Sequence, residues 1–88
     1  MKTVYPALFT KYKIGGYMVS FPDLPGCNTE GDDLYEALYE AEGLLIEWLE
    51  YLVDEKFPIP TASHLEDIKH GADQFVSLIR IDILKYAA

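Results

Sequence analysis

Cys27, His64 and His70 are the side chains best suited to act as a nucleophile, a base or a soft metal ligand. A cysteine nucleophile needs a histidine within hydrogen-bonding reach, a carboxylate to orient it and donors for the oxyanion. Cys27 sits between a Pro-Gly turn and a polar run, with no Lys, Arg or His near it in sequence. A small, part-buried thiol is the expectation for it. His64 and His70 are six residues apart across a predicted helix end, which is not a zinc-ligand spacing. They read as surface loop histidines.

Carboxylates are more plentiful, fifteen Asp and Glu in all. A two-metal hydrolase of the ribonuclease H type would place a carboxylate on its first strand to hold the ions. Residues 1 to 22 contain no Asp or Glu. Neither a G-x-G-x-x-G pattern nor a P-loop is present, because Gly15-Gly16 is not followed by a helix. No catalytic residue, cofactor site or metal site is therefore expected.

The carboxylates gather instead on one long predicted helix, Leu34 to Glu55. At ~1.5 Å per residue it spans about 33 Å. Asp33 is its expected N-cap and Glu36 sits at N3, a capping-box variant. Leu34, Ala37, Leu38, Ala41, Leu44, Leu45, Trp48, Leu49 and Leu52 fall on one face, which should be core. Glu36, Glu40, Glu47, Glu50 and Asp54 fall on the opposite face. Like charges three or four residues apart repel by about 0.2–0.5 kcal/mol per pair, which a basic partner would relieve. A third arc, Tyr35, Tyr39, Ile46 and Val53, is too apolar for an ordinary solvated flank. Acid stripe and arc together are the expected partner-binding residues.

The elements around that helix can be read from periodicity. Val4 to Ile14 reads as a strand, with Pro6 confining its start to an edge or bulge. Gly15-Gly16 and Tyr17 to Phe21 then form a hairpin. A two-residue loop would set Ile14 opposite Tyr17, Tyr12 opposite Val19 and Thr10 opposite Phe21. Lys11, Lys13, Met18 and Ser20 would share the other face. Pro22 to Gly26 stops the second strand, Cys27 to Glu30 returns as a third, and Gly31-Asp32 breaks it. After the helix, Ser63 to Glu66 forms a second capping box opening one short turn to about Ile68. Gln74 to Ile83 alternates as a last strand, with Phe75, Ile79, Ile81 and Ile83 on its apolar face. The order β-β-β-α-β predicts an α+β domain: a small, mostly antiparallel sheet with one helix on one face.

Composition sets the outer bounds. Eighty-eight residues, half of them apolar, make one folded domain. A net charge of −8 opposes direct binding to nucleic acid. One cysteine excludes an internal disulfide and fits a reducing compartment. No apolar run reaches ~18 residues, and the N-terminus has no signal-peptide core, so a cytoplasmic protein is expected.

One block is distinctive: Gly15-Gly16-Tyr17-Met18-Val19-Ser20-Phe21-Pro22-Asp23-Leu24-Pro25-Gly26-Cys27. With Tyr5-Pro6-Ala7-Leu8-Phe9, Thr29-Glu30-Gly31-Asp32, Leu34 to Leu38, Pro60 to Ser63 and Val76 to Tyr86, it resembles the N-terminal domain of HicB antitoxins. The resemblance implies a partial ribonuclease H-like fold that has lost its catalytic carboxylates, in line with the acid-free first strand. It implies binding and neutralisation of HicA, a small basic mRNA-cleaving toxin, and assembly into dimers or tetramers of a prokaryotic cytoplasmic protein. Many members add a C-terminal ribbon-helix-helix or helix-turn-helix domain that binds the operator. This sequence ends at Tyr86-Ala87-Ala88, and a single HicB-like domain over 1–88, without a DNA-binding part, is the expectation.

Overall fold

In the computed structural model the described residues are 1–83. The strand exit and chain end expected around Tyr86 lie outside them. The elements run β1 (Lys2–Lys11), β2 (Tyr17–Ser20), β3 (Asn28–Gly31), α1 (Leu34–Asp54), a single 3-10 turn (Leu65–Asp67) and β4 (Gln74–Asp82). The sheet order is β3-β2-β1-β4, and every neighbouring pair is antiparallel. Helix α1 covers one face of the sheet. The α+β architecture expected from the sequence is the one observed.

Long β1 is an inner strand, yet it carries Pro6. The ladder shows why that is tolerated. Lys11 donates its N–H toward the β4 side, to Asp73, whereas Tyr12 donates toward the hairpin side, to Gly16. N–H groups alternate in direction along a strand, so the missing Pro6 donor falls on the hairpin side with Tyr12. There β2 pairs only from Leu8 onward. Pro6 thus occupies a local edge and the β1–β4 register runs past it unbroken, Tyr5 opposite Ile79, Pro6 opposite Leu78, Ala7 opposite Ser77.

The hairpin register differs from the expected one. Lys11 faces Tyr17, Thr10 faces Met18, Phe9 faces Val19 and Leu8 faces Ser20. The loop is therefore Tyr12 to Gly16, not Gly15-Gly16 alone. Tyr12 accepts from Gly15 in a tight turn, and Gly15 and Gly16 both hold positive φ, 99° and 87°. Ile14 belongs to this loop and is 98% exposed. An odd shift in register exchanges the two faces of a strand. Phe9 and Val19 consequently point into the core together, and Met18 and Ser20 lie with Thr10 and Leu8 on the outer face.

Residues of one parity build the core: Tyr5, Ala7 and Phe9 from β1, Val19 from β2, and Ile79, Ile81 and Ile83 at the end of the chain described. Phe75 joins that face and stacks on Phe9 at 4.9 Å between ring centres. Against them α1 packs Ala37, Ala41, Leu45 and Leu49, all fully buried. Burying a leucine in such a site stabilises by roughly 1.5–3 kcal/mol. Trp48, expected under the helix on the sheet, is only partly buried. Its ring edge lies against the Pro25-Gly26 loop, 3.6 Å from where a Cβ on Gly26 would stand.

Helix α1 starts as expected. Asp33 accepts from the Glu36 N–H at 2.8 Å, and the Glu36 carboxylate accepts from Asp32 at 3.1 Å, one residue earlier than in the usual box. Its end is set by Lys56, a non-glycine residue at φ 59°. Lys56 donates to Val53 and Phe57 donates to Leu52, and the Phe57 ring meets Tyr51. That is a Schellman stop with lysine where glycine is usual.

The connection back to β4 is pinned at two places. The Tyr5 hydroxyl donates to the Pro60 carbonyl. Burial, then the Asp23 charge, raise the pKa of that hydroxyl. Asp23 accepts from both the backbone N–H and the hydroxyl of Ser63. Ser63 therefore does not cap the following turn as expected; its hydroxyl has a long-range partner, and the N-cap position falls on His64 without a side-chain bond.

Candidate functional site

The expected chemistry-bearing residues stay apart. Cys27 is fully buried, and burial pushes its thiol up to about 11, the opposite of an activated nucleophile. His64 and His70 are exposed on the connection. Among the described residues no cluster of His, Cys, Asp and Glu could hold a metal ion. No helix among them is long and apolar enough to cross a membrane.

The nine expected partner-binding residues divide by depth. Tyr35 and Tyr39 stand out from the helix, 82% and 65% exposed. Glu36, Glu40, Glu47 and Asp54 are exposed, while Glu50 is half-buried. Ile46 is half-buried and packed against the core, and Val53 is half-buried. Two open hollows bring several of these together. One is bounded by Asp33, Tyr35, Glu36, Tyr39 and Glu40. The other lies around Gly43, with Tyr39, Glu40, Ile46 and Glu47 on its rim and Thr29 of β3 beyond. Val53, Glu50 and Asp54 lie outside both.

Gly43 is the residue whose role the pattern of charges did not disclose. It costs the helix interior about 1 kcal/mol relative to alanine. Nothing lies within 4 Å of where its Cβ would be, so no contact inside the molecule requires a glycine there. The result is a dip in the exposed face, flanked by carboxylates and a tyrosine. Such a surface suits a protein partner: aromatic anchors beside a rim of one sign. The sequence signal for it is the lone glycine inside a helical run.

A third hollow carries no local signal in the sequence. It runs between α1 and the outer edge of β4, bordered by Leu38, Tyr39, Glu42, Leu78 and Arg80. The strand alternation contained β4 but not its place at the end of the sheet.

Comparisons with known proteins bear on the family and the fold. A family model described as a HicB_like antitoxin of bacterial toxin-antitoxin system matches residues 5–88. A protein named Antitoxin HicB 1 from Photorhabdus laumondii subsp. laumondii is 43% identical over 58 residues, 64% of this chain and 37% of that protein. The chain spans less than half the length of the curated HicB relatives it matches. Among solved structures, a chain of a toxin-antitoxin complex from Streptococcus pneumoniae superposes with a TM-score of 0.86 at 23% identity, covering 100% of this chain and 74% of that one. A chain of the HicA3 and HicB3 toxin-antitoxin complex gives 0.72 at 24% identity, covering 91% and 99%. These structural likenesses concern the fold.

Proposed function

The chain belongs to the HicB-like antitoxin family of bacterial toxin-antitoxin systems, and on that premise we propose that it binds and neutralises a small basic HicA-type toxin. The fold it shares with a chain from a complex of HicA3 and HicB3 supports that choice of partner. The observation that carries the reading is the Gly43 hollow, where Glu40, Glu47 and Tyr39 meet around a helix position kept bare. The helix holds six carboxylates and no cation, which favours a basic surface opposite. Close approach over Gly43 lets the tyrosines anchor, while the carboxylates steer the encounter.

On this reading the domain is a binding module and not a nuclease. Strand β1 offers no Asp or Glu that could pair with the helix acids around a metal ion. We further read it as cytoplasmic, self-associating and without direct contact to nucleic acid, in keeping with the net charge of −8.

Co-purification with a HicA-type toxin, followed by toxin-driven mRNA cleavage with and without the domain, tests the proposal. Stoichiometric binding and loss of cleavage are expected. Failure to bind a toxin encoded beside this chain, or metal-dependent RNA cleavage by the domain that vanishes in a carboxylate variant, would overturn it.

A further inference from the structure

Trp48, Tyr51 and Phe57 leave part of their rings in solvent, yet each ring is held. The Trp48 edge leans on the Pro25-Gly26 loop, where Gly26 takes φ 90° and has no side chain to push it away. That loop is itself fixed. Phe21 donates to Cys27, Cys27 donates to Leu24 and Leu24 donates to Phe21, all through the backbone, and Leu24 and Cys27 are buried. Asp23 ties the same loop to Ser63. Tyr51, 55% exposed, meets the Phe57 ring at 6.0 Å, and Phe57 donates to Leu52 in the stop that ends the helix. Trp48 and Tyr51 border an open trough with Leu44 and Leu52, and Glu47 is its one carboxylate.

The trough is not isolated. Leu44 and Glu47 also border the Gly43 hollow, so the two form one surface along the helix. From Tyr39 to Tyr51 the helix rises about 18 Å.

We propose that the basic toxin spans this surface and seats a large apolar side chain, with a lysine or arginine beside it, in the trough between Trp48 and Tyr51. The inference rests on the functional reading above and deepens it by naming where the partner is anchored. Three observations carry it. The two rings are braced by the Pro25-Gly26 loop and by Phe57, so burying them costs little ordering, which is the condition for an aromatic hot spot. Charge selects the occupant. Glu40 and Glu47 are exposed, and among the described residues no cation pairs with either. A cation next to the apolar anchor meets Glu47 where trough and hollow join. A second copy would instead bring the six carboxylates of its own helix against these. Lastly, the bare Gly43 lets a partner's backbone come close, which brings the side chains that follow it down to the trough.

Trp48 is the only tryptophan in the chain, so fluorotryptophan labelling places one fluorine signal at the trough. The labelled whole chain is titrated with a HicA-type toxin encoded beside it, and fluorine NMR is read in light and heavy water. A shifted signal with a smaller solvent isotope effect is expected, because the ring loses water. Tyr51→Ala should weaken toxin binding by about tenfold or more, chiefly through faster dissociation, and Tyr51→Phe should keep the affinity. The labelled wild type decides the matter should Tyr51→Ala disturb the fold. Toxin bound with the fluorine signal unmoved would overturn the trough and leave the antitoxin reading standing. Full affinity in Tyr51→Ala would do the same. A signal that moves with the domain's own concentration, toxin absent, would overturn the proposal in favour of a second copy. No binding of the toxin by the wild type would overturn both this inference and the reading beneath it.

Discussion

The first turn of α1 lies directly over Gly31. A Cβ placed there would fall 2.6 Å from Ala37 Cα and 2.8 Å from the carbonyl carbon of Glu36, both backbone atoms that cannot swing aside. Gly31 is a β3 residue with ordinary φ, so the requirement for glycine is one of space, not conformation. Gly31→Ala should push the helix start off the sheet and destabilise by about 1–3 kcal/mol, the range for overpacking. Urea denaturation measures it; an unchanged midpoint would show that the helix can slide.

Gly43 predicts the opposite sign. Open space surrounds its missing Cβ. Gly43→Ala should raise stability by roughly 1 kcal/mol. Gly43→Gln, which fills the hollow, should keep most of that gain yet weaken toxin binding at least tenfold. Calorimetry of unfolding and of binding separates the two effects. Full affinity in the Gln variant would mean that the toxin docks elsewhere.

Charge and aromatic anchors should divide the kinetics between them. Glu40→Lys with Glu47→Lys should slow association with the toxin, most at low salt, and leave the domain's own stability within about 0.5 kcal/mol. Tyr39→Ala should act on dissociation, speeding it by a factor of ten or more, equivalent to ~1.4 kcal/mol. Stopped-flow or surface-binding traces at two salt concentrations resolve these. Equal association rates for wild type and the double lysine variant would reduce the stripe to a solvated face.

Cys27 gives a pH signature. Burial raises its pKa from the ordinary 9.0 to about 11 on folding. Below pH 9 both states keep the proton, and the thiol's contribution is complete. Between 9 and 11 the unfolded chain ionises while the folded one does not, so stability falls across that window and levels off above it. Tyr5 bends the curve the same way, its pKa also being raised. The measurement is therefore the difference between wild type and Cys27→Ala, whose slope above pH 9 should be shallower. At pH 8 a disulfide reagent should modify the thiol only once denaturant is added.

The helix was legible in nearly every respect, because its cap, its period and its acid stripe are all local signals. Strand β4 was legible in extent for the same reason. What escaped was decided by partners distant in the chain. The hairpin register turned on whether Lys13 and Ile14 belong to a strand or a loop, and both readings satisfy the Gly15-Gly16 signal. Ser63 looked like a cap because Glu66 follows at the right spacing, but Asp23 competes for its hydroxyl from across the fold. Lys56 looked unremarkable because lysine seldom takes a left-handed turn. Of the interaction surface, the tyrosines and exposed acids were readable from helical geometry. The burial of Ile46 and the open edge of β4 were not, since each depends on where the sheet ends.

Strand β4 lies beside β1 from Lys2 opposite Asp82 to Thr10 opposite Gln74, so the sheet is joined by almost the two ends of the described chain. A polypeptide leaving the ribosome at about 5–20 residues per second exposes β1 for several seconds before its outer neighbour exists. During that interval Tyr5, Ala7 and Phe9 lack the isoleucines that cover them, and β1 is itself a bare edge. Local hairpin and helix can form early, but the native sheet closes only once β4 has been made. Pairing across so much sequence also makes for slow folding. Newly made molecules are thus briefly open to proteases and chaperones in a way that finished ones are not.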